Sequence, residues 1–279
     1  MNHTLKILFL TFLATVISYN IDAQDSINVR INQLFNKLAM SKHSDSSIQI
    51  ANNIVELILK KCELQPIYES DFSEVKYLTS FISEDELLRI FTFGYKLPNG
   101  ANRFEGLIYY REKKKKPAKV TRLYDTRLLP ESPEFASAKR VNWFGTQYYA
   151  LVTKKDGKTP VYTLLGYGGT SQTTTLKSID ILTFNSSGKP MFGKKYIKLG
   201  NQKTGRLEFE YTLTAVFKLS YLSEEDMVIF DQLAPIGPGL PNLPEYLGPV
   251  GIYNGFKFED EVWILRKNID IRNLKTKFD

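Results

Sequence analysis

The sequence predicts an α+β protein, in which an N-terminal helical hairpin precedes a large antiparallel β domain, barrel or sandwich, with meander-like connections. Three observations predict it. Apolar residues recur at helical spacing as far as Leu59, and from about Leu87 they alternate with a period of two. Turn clusters rich in glycine, asparagine and lysine separate the alternating runs. One cysteine, Cys62, stands in the whole chain, so no intramolecular disulfide is available and an apolar core must hold the fold.

Residues 1–23 read as a secretory signal: Lys6, then the run Ile7–Ile17 whose only polar members are threonines, then Ile21-Asp22-Ala23. No later stretch approaches the roughly 20 apolar residues that a spanning helix needs, which predicts no transmembrane helix after signal removal. Lys6 and Asp22 leave together, so the formal charge of +7 is unchanged. A basic exported chain suits anionic lipid, acidic glycan or an envelope protein as partner, and export argues against nucleic acid. Asp25-Ser26-Ile27 has the form of an O-glycosylation site.

Residues 24–63 form the expected hairpin. Ile27, Ile31, Leu34, Phe35 and Leu38 make one apolar stripe; Ile48, Ala51, Ile54, Val55, Ile58 and Leu59 make another. Ser44 or Asp45 is the expected cap of the second helix. His43 reads as a solvated loop imidazole and Cys62 as a buried thiol.

Residues 64–279 carry roughly 9–12 expected strands. Leu87–Gly94 and Glu105–Glu112 flank the turn Pro98-Asn99-Gly100, and the lysine run Lys113–Lys116 sits at the next tip. Leu123–Asn142, with Pro130 and Pro133, reads as a surface crossing before a strand at Thr146–Thr153. The centre of the sheet is expected at Val161–Phe184. Val161, Thr163, Leu165 and Tyr167 share one face of the first run, with Tyr162 and Leu164 on the other, so both faces look covered. In the return run Asp180 falls on the side of Leu182 and Phe184, a carboxylate among apolar neighbours. Leu207, Phe209, Tyr211 and Leu213 are expected to face inward, with Glu208, Glu210 and Thr212 outward.

Pro235, Pro238, Pro241 and Pro244 recur every third residue, with Pro249 beyond, a spacing that matches polyproline II. The segment is either a stiff crossover or the rim of a ligand groove, with Tyr246 and Tyr253 as stacking surfaces. Asp231, on the side of Met227, Ile229 and Leu233, is a second inward carboxylate. The chain closes with a hairpin, Ile252–Phe258 and Glu261–Leu265, carrying Trp263.

The chemistry narrows by elimination. His3, which leaves with the signal, and His43 are the only histidines, so histidine-clustered metal sites are excluded, as are Ser-His-Asp and Cys-His mechanisms unless His43 alone serves one, and no metal or cofactor is expected. Ser73–Lys76 fits S-x-x-K and Lys203–Gly205 fits K-T-G, but no S-D-N-type triplet lies between them. What remains for an enzyme is a carboxylate-based hydrolase, which needs two carboxyl groups about 5–10 Å apart. Asp180 and Asp231 are the candidates. Against it stands a binding or structural module of the cell envelope, with Tyr167, Asp231, Tyr246 and Tyr253 as ligand contacts. A small outer-membrane barrel is a third class, opposed by Glu208, Glu210 and Lys218 on outward faces.

The series YTLLGYGG at 162–169, SIDILTF at 178–184, GKPMFG at 188–193, RLEFEY at 206–211, MVIFDQLAP at 227–235 and YNGFKFEDEVW at 253–263 resembles a group of uncharacterised exported proteins of the Bacteroidetes, over residues 142–273. The resemblance implies an exported bacterial protein with a β-rich C-terminal part, and it carries no catalytic residues with it. Residues 273–279 do not resemble the long sorting domain used for surface secretion in those bacteria, so the periplasm is the expected location.

Overall fold

The structure, a computed structural model, describes residues 27–126 and 141–270. The expected signal, the Asp25-Ser26 part of the glycosylation pattern and most of the Pro130 crossing lie outside the described residues. The chain divides into two units at Leu78/Thr79.

The first unit holds helix α1 (27–39) and helix α2 (Ser44–Leu64). Ile27, Ile31, Phe35 and Leu38 are buried on α1; Ala51, Ile54, Val55, Ile58 and Cys62 are buried on α2, while Ile48 is exposed. His43 rather than Ser44 or Asp45 occupies the N-cap, without a side-chain cap bond. Asp45 instead lies in the first turn, where its charge suits the helix dipole. The unit runs past the expected boundary at residue 63. The Asn32 amide donates to the Glu74 carbonyl at 2.9 Å, and its oxygen accepts from the Lys76 N–H at 2.9 Å. Buried Lys61 donates to Asn28 Oδ1 at 2.6 Å and to the Asp71 carbonyl, 4.6 Å from the centre of the Phe72 ring. These bonds tie the turns after residue 65 to the helices.

The second unit contains fifteen strands among the described residues, more than expected because three-residue strands escape a periodicity reading. An antiparallel first sheet has the order β1 (Thr79–Ile82), β2 (Leu88–Lys96), β3 (Asn102–Tyr110), β4 (Lys119–Leu123). The middle sheet runs β11 (Arg206–Thr212), β7 (Thr174–Phe184), β6 (Thr159–Thr170), β5 (Gln147–Asp156), with β8 (Pro190–Phe192) beside β7. The C-terminal sheet runs β10 (Gln202–Thr204), β9 (Ile197–Leu199), β15 (Val262–Ile269), β14 (Leu247–Glu259), β13 (Met227–Pro235), β12 (Leu219–Leu222). Its β15/β9 pair is parallel and its other pairs are antiparallel. Every sheet keeps two edge strands, so the arrangement is sandwich-like and no sheet closes into a barrel.

The middle sheet is covered on both faces, as the pattern of β6 predicts. Val161, Leu165, Ile179 and Ile181 pack with Ile197, Phe230, Phe256 and Trp263 in one core. Tyr148, Tyr162, Leu164 and Leu182 pack with Leu88, Ile90, Ile108 and Leu123 in a second. Polar atoms on the two faces are paired. The Trp263 indole donates to Thr163 Oγ1 at 2.7 Å, and the Tyr162 hydroxyl donates to Asp85 Oδ2 at 2.9 Å. At Gly166 an added Cβ would stand 2.1 Å from Thr146 Cγ2, so only glycine fits.

Three sequence expectations change. The Leu123–Asn142 stretch is not a surface crossing at its ends: Leu123 and Val141 are buried in the second core, and Asp125 bridges Trp143, which is fully buried just beyond it. Leu213 is exposed and Thr212 buried, because β11 stops at Thr212 and the Leu213 N–H turns to the Thr173 carbonyl. The proline segment is the loop of the β13–β14 hairpin, closed by Ile236 N–H to the Tyr246 carbonyl and Leu240 N–H to the Gly237 carbonyl. Polyproline II has no internal hydrogen bonds, so three-residue spacing does not produce that helix here.

Leu88 and Phe256 lie in outer sheets on opposite sides of the middle one. With about 10 Å per layer they are too far apart to couple. Leu88→Ala is expected to cost about 2–5 kcal/mol and Phe256→Ala about 3–5 kcal/mol, with the double variant at their sum within about 0.5 kcal/mol, read by urea unfolding.

Candidate functional site

Asp180 and Asp231 are both buried, and the fold separates them. On β7 the alternation sends Asp180 toward the second core, beside Tyr148, and sends Lys177, Ile179 and Ile181 toward the first. Asp231, on β13 of the C-terminal sheet, has the parity opposite to Val228 and Phe230, which pack in the first core, and its charge reaches Lys177. The middle sheet lies between the two carboxylates, so they do not line one cleft.

Each is also held by its own partners. Arg206 Nη1 donates to both carboxylate oxygens of Asp180 at 2.6 Å. The Tyr148 hydroxyl donates to Oδ2 at 2.9 Å and itself accepts from the Trp143 indole at 3.1 Å. Burial pushes the Asp180 carboxyl up from its ordinary range, against the opposing pull of Arg206 and Tyr148. For Arg206 burial acts downward, but the adjacent Asp180 carries the guanidinium above its ordinary value. The Arg206 guanidinium also lies 5.1 Å from the centre of the Phe144 ring and bonds Glu208 at 2.9 Å, so both ions are enclosed in a polar network. Asp231 Oδ2 accepts the Lys218 N–H, while the Asp231 N–H donates to the Lys218 carbonyl at 3.1 Å. Burial raises its carboxyl above the ordinary range, opposed by the Lys218 N–H and the charges of Lys218 and Lys177.

A different group of side chains gathers at one end of the middle and C-terminal sheets, where four β-bulges fall. They lie at Tyr148/Ala150 on β5, Tyr167/Gly169 on β6, Asp231/Leu233 on β13 and Tyr253/Gly255 on β14. A bulge inserts one residue and re-aims its neighbours. On β5 the extra residue is Tyr149, which turns to the first core and donates its hydroxyl to the Leu219 carbonyl at 3.0 Å. Lys177 Nζ lies 5.7 Å from the Tyr149 ring centre and donates to the Phe217 carbonyl at 2.6 Å. The Tyr211 and Phe217 rings stack at 5.1 Å, and Lys218 Nζ lies 5.8 Å from the Tyr253 ring centre.

The electrostatics follow from partial burial. Burial lowers the Lys177 ammonium, with Asp231 opposing. Burial raises the phenols of Tyr149 and Tyr211, with Tyr211 adding to the first and Tyr167 to the second. Both phenols thus stay protonated, and that of Tyr149 donates. The cluster offers aromatic faces, hydroxyl donors and an ammonium. It pairs no nucleophile with a base and sets no two carboxylates across a gap.

Of the residues picked from sequence, Tyr167, Asp231 and Tyr253 belong to this end, and Asp180 does not. Tyr246 ends a single 3-10 turn, Pro244–Tyr246, in the β13–β14 loop. Tyr149, Lys177, Tyr211 and Lys218 were missed as site residues. Lys177 had a legible signal, since it shares the parity of Ile179 and Ile181. Tyr149 had none, because its direction depends on the bulge.

Other candidates carry less chemistry. In the helical unit a groove of 560 Å³ between α1 and α2 is lined by Arg30, Leu34, Glu56, Leu57, Lys60 and Glu63, a mixed-charge surface. Ser73 donates its hydroxyl to Asp71 Oδ2 at 3.1 Å in a turn of the first unit, and Lys203 belongs to β10 of the second. Among the described residues no group of three or more His, Cys, Asp or Glu side chains is placed to hold a metal ion. Also among them, no helix is long and apolar enough to cross a membrane. No protein-family model matches the chain, and neither curated proteins nor solved structures include a significant match to it.

Arg206→Met leaves the buried Asp180 carboxylate without its cation, and Asp180→Asn leaves Arg206 with Glu208 as its only carboxylate. Each is expected to cost about 3–5 kcal/mol, and the double variant less than the sum, in a double-mutant cycle by urea unfolding. Asp231 gives a test by pH. A raised carboxyl contributes stability that is complete below the unfolded value and falls as pH rises through the folded one. Asp231→Asn retains an oxygen for the Lys218 N–H and lacks this fall. Its stability relative to the parent should therefore grow between about pH 3 and about pH 7, as read by thermal unfolding across that range.

Proposed function

We propose that this protein is a non-enzymatic binding module of the bacterial cell envelope, exported through residues 1–23 and resident in the periplasm, with its ligand contacts at the bulged end of the middle and C-terminal sheets. The observation that carries this reading is the fate of the two carboxylates. Asp180 is saturated by Arg206 and Tyr148, Asp231 is bonded to the Lys218 backbone, and the middle sheet lies between them. A glycosidase needs an acid and a second carboxylate facing one bond. Tyr167, Tyr253, Lys177 and Lys218 suit ring stacking and contact with acidic groups instead. The sequence resemblance to exported Bacteroidetes proteins and the net charge of +7 support the compartment and the preference for anionic partners.

A thermal-shift screen against envelope glycans, peptidoglycan fragments, lipid head groups and calcium tests the reading. A ligand at 100 times its Kd stabilises the fold by about 2.7 kcal/mol. That shift should appear with one ligand class and shrink in Tyr167→Ala and Tyr253→Ala. Hydrolysis of any panel member, abolished by Asp180→Asn or Asp231→Asn in a protein that still folds, overturns it in favour of the hydrolase.

A further inference from the structure

The β13–β14 loop presents large apolar side chains to solvent at the same end of the C-terminal sheet. Ile236, Leu240 and Leu243 in the loop, and Val250 and Ile252 just after it, are all exposed, Leu243 by 48%. Val216, in the loop between β11 and β12, is 90% exposed. A Cβ built at Gly248 would stand 2.6 Å from Ile236 and 3.7 Å from Ala215, so the two loops lie side by side. Nothing lies within 4 Å of the Cβ direction at Gly239 or Gly251, which leaves this end open. An exposed apolar group of this extent marks an interaction surface.

The character of the backbone selects the occupant. Pro235, Pro238, Pro241, Pro244 and Pro249 have no N–H. The N–H groups of Ile236, Leu240, Tyr246 and Leu247 donate within the loop. The prolines and these bonds reduce the number of backbone donors that need water, which lowers the desolvation cost of entering a lipid interface. The same prolines and the 3-10 turn deny a strand edge to a protein partner or a second copy. Charge points the same way. Between Gln232 and Phe256 the only charged residue is Glu245, while Lys218 and Lys267 stand at the base beside Tyr253 and its β15 neighbours. Apolar residues at a tip and cations at its base complement an anionic bilayer surface.

We propose that the β13–β14 loop is a membrane-interface anchor, with Ile236, Leu240 and Leu243 entering the boundary between head groups and acyl chains while Lys218 and Lys267 face lipid phosphates. The proposal rests on the export reading above and deepens it by assigning the lipid contact to these residues. Co-sedimentation with vesicles of phosphatidylglycerol and phosphatidylcholine tests it. The protein is expected to partition to these vesicles at low salt and several-fold less to pure phosphatidylcholine.

The double variant Leu240→Asp/Leu243→Asp should lose at least tenfold in partitioning with its melting temperature unchanged. Lys218→Gln/Lys267→Gln should lose several-fold and flatten the salt dependence. Glutamine at Lys113–Lys116 should change nothing. As a check that needs no loss of binding, Leu243→Trp should gain a blue-shifted emission component on vesicle addition, over the constant signal of buried Trp143 and Trp263. Absence of partitioning, full partitioning by the double aspartate variant, or an unshifted Leu243→Trp emission each overturns the anchor. So does loss of self-association in the double aspartate variant, which assigns the patch to a second copy. A glycan or peptidoglycan shift in the thermal screen without vesicle binding removes the anchor and leaves the binding module standing.

Discussion

The second unit is organised around a strand, β6, that is covered on both faces. Residues 161–166 of β6 are buried without interruption, so every side chain on both faces must find either apolar contact or a polar partner. Thr163 is answered by Trp263 from the C-terminal sheet, and Tyr162 by Asp85 near the first. Tyr148 supplies a third link, donating its N–H to Thr92 Oγ1 at 2.9 Å and its hydroxyl to Asp180. These polar bonds fix how the three layers register, which apolar packing alone specifies only loosely.

Seen from that constraint, Asp180 and Arg206 are an internal fastening of the middle sheet. They face each other in register across β7 and β11. The guanidinium reaches both carboxylate oxygens and the Phe144 ring, so the pair joins an edge strand to the segment that enters β5. A carboxylate among apolar neighbours is a fair signal of function in a sequence. Here the neighbours that decide its role, Arg206 and Tyr148, lie 26 and 32 residues away.

The other end of the sandwich is built differently. Bulges relax the ladder there, and the regular inside-outside alternation gives way to side chains aimed by local backbone irregularity. Tyr149 and Lys177 are half-enclosed in this zone rather than sealed in the core or left on the surface. The proline loop rises from the same zone. Its apolar side chains and internally bonded backbone contrast with the lysine-rich β3–β4 tip, where Lys114 pairs with Glu86 at 3.0 Å.

The helical stripes, the covered strand β6, the β2–β3 hairpin and the inward parity of Lys177 were legible because each depends on residues within one turn of helix or a few positions of strand. Only the tertiary structure decided the boundary at Leu78, the burial of Trp143, the direction of Tyr149 and the separation of Asp180 from Asp231. Those outcomes rest on bulges, on long-range ion and hydrogen-bond partners, and on which sheet covers which face. None of these is written in a period of two or of 3.6.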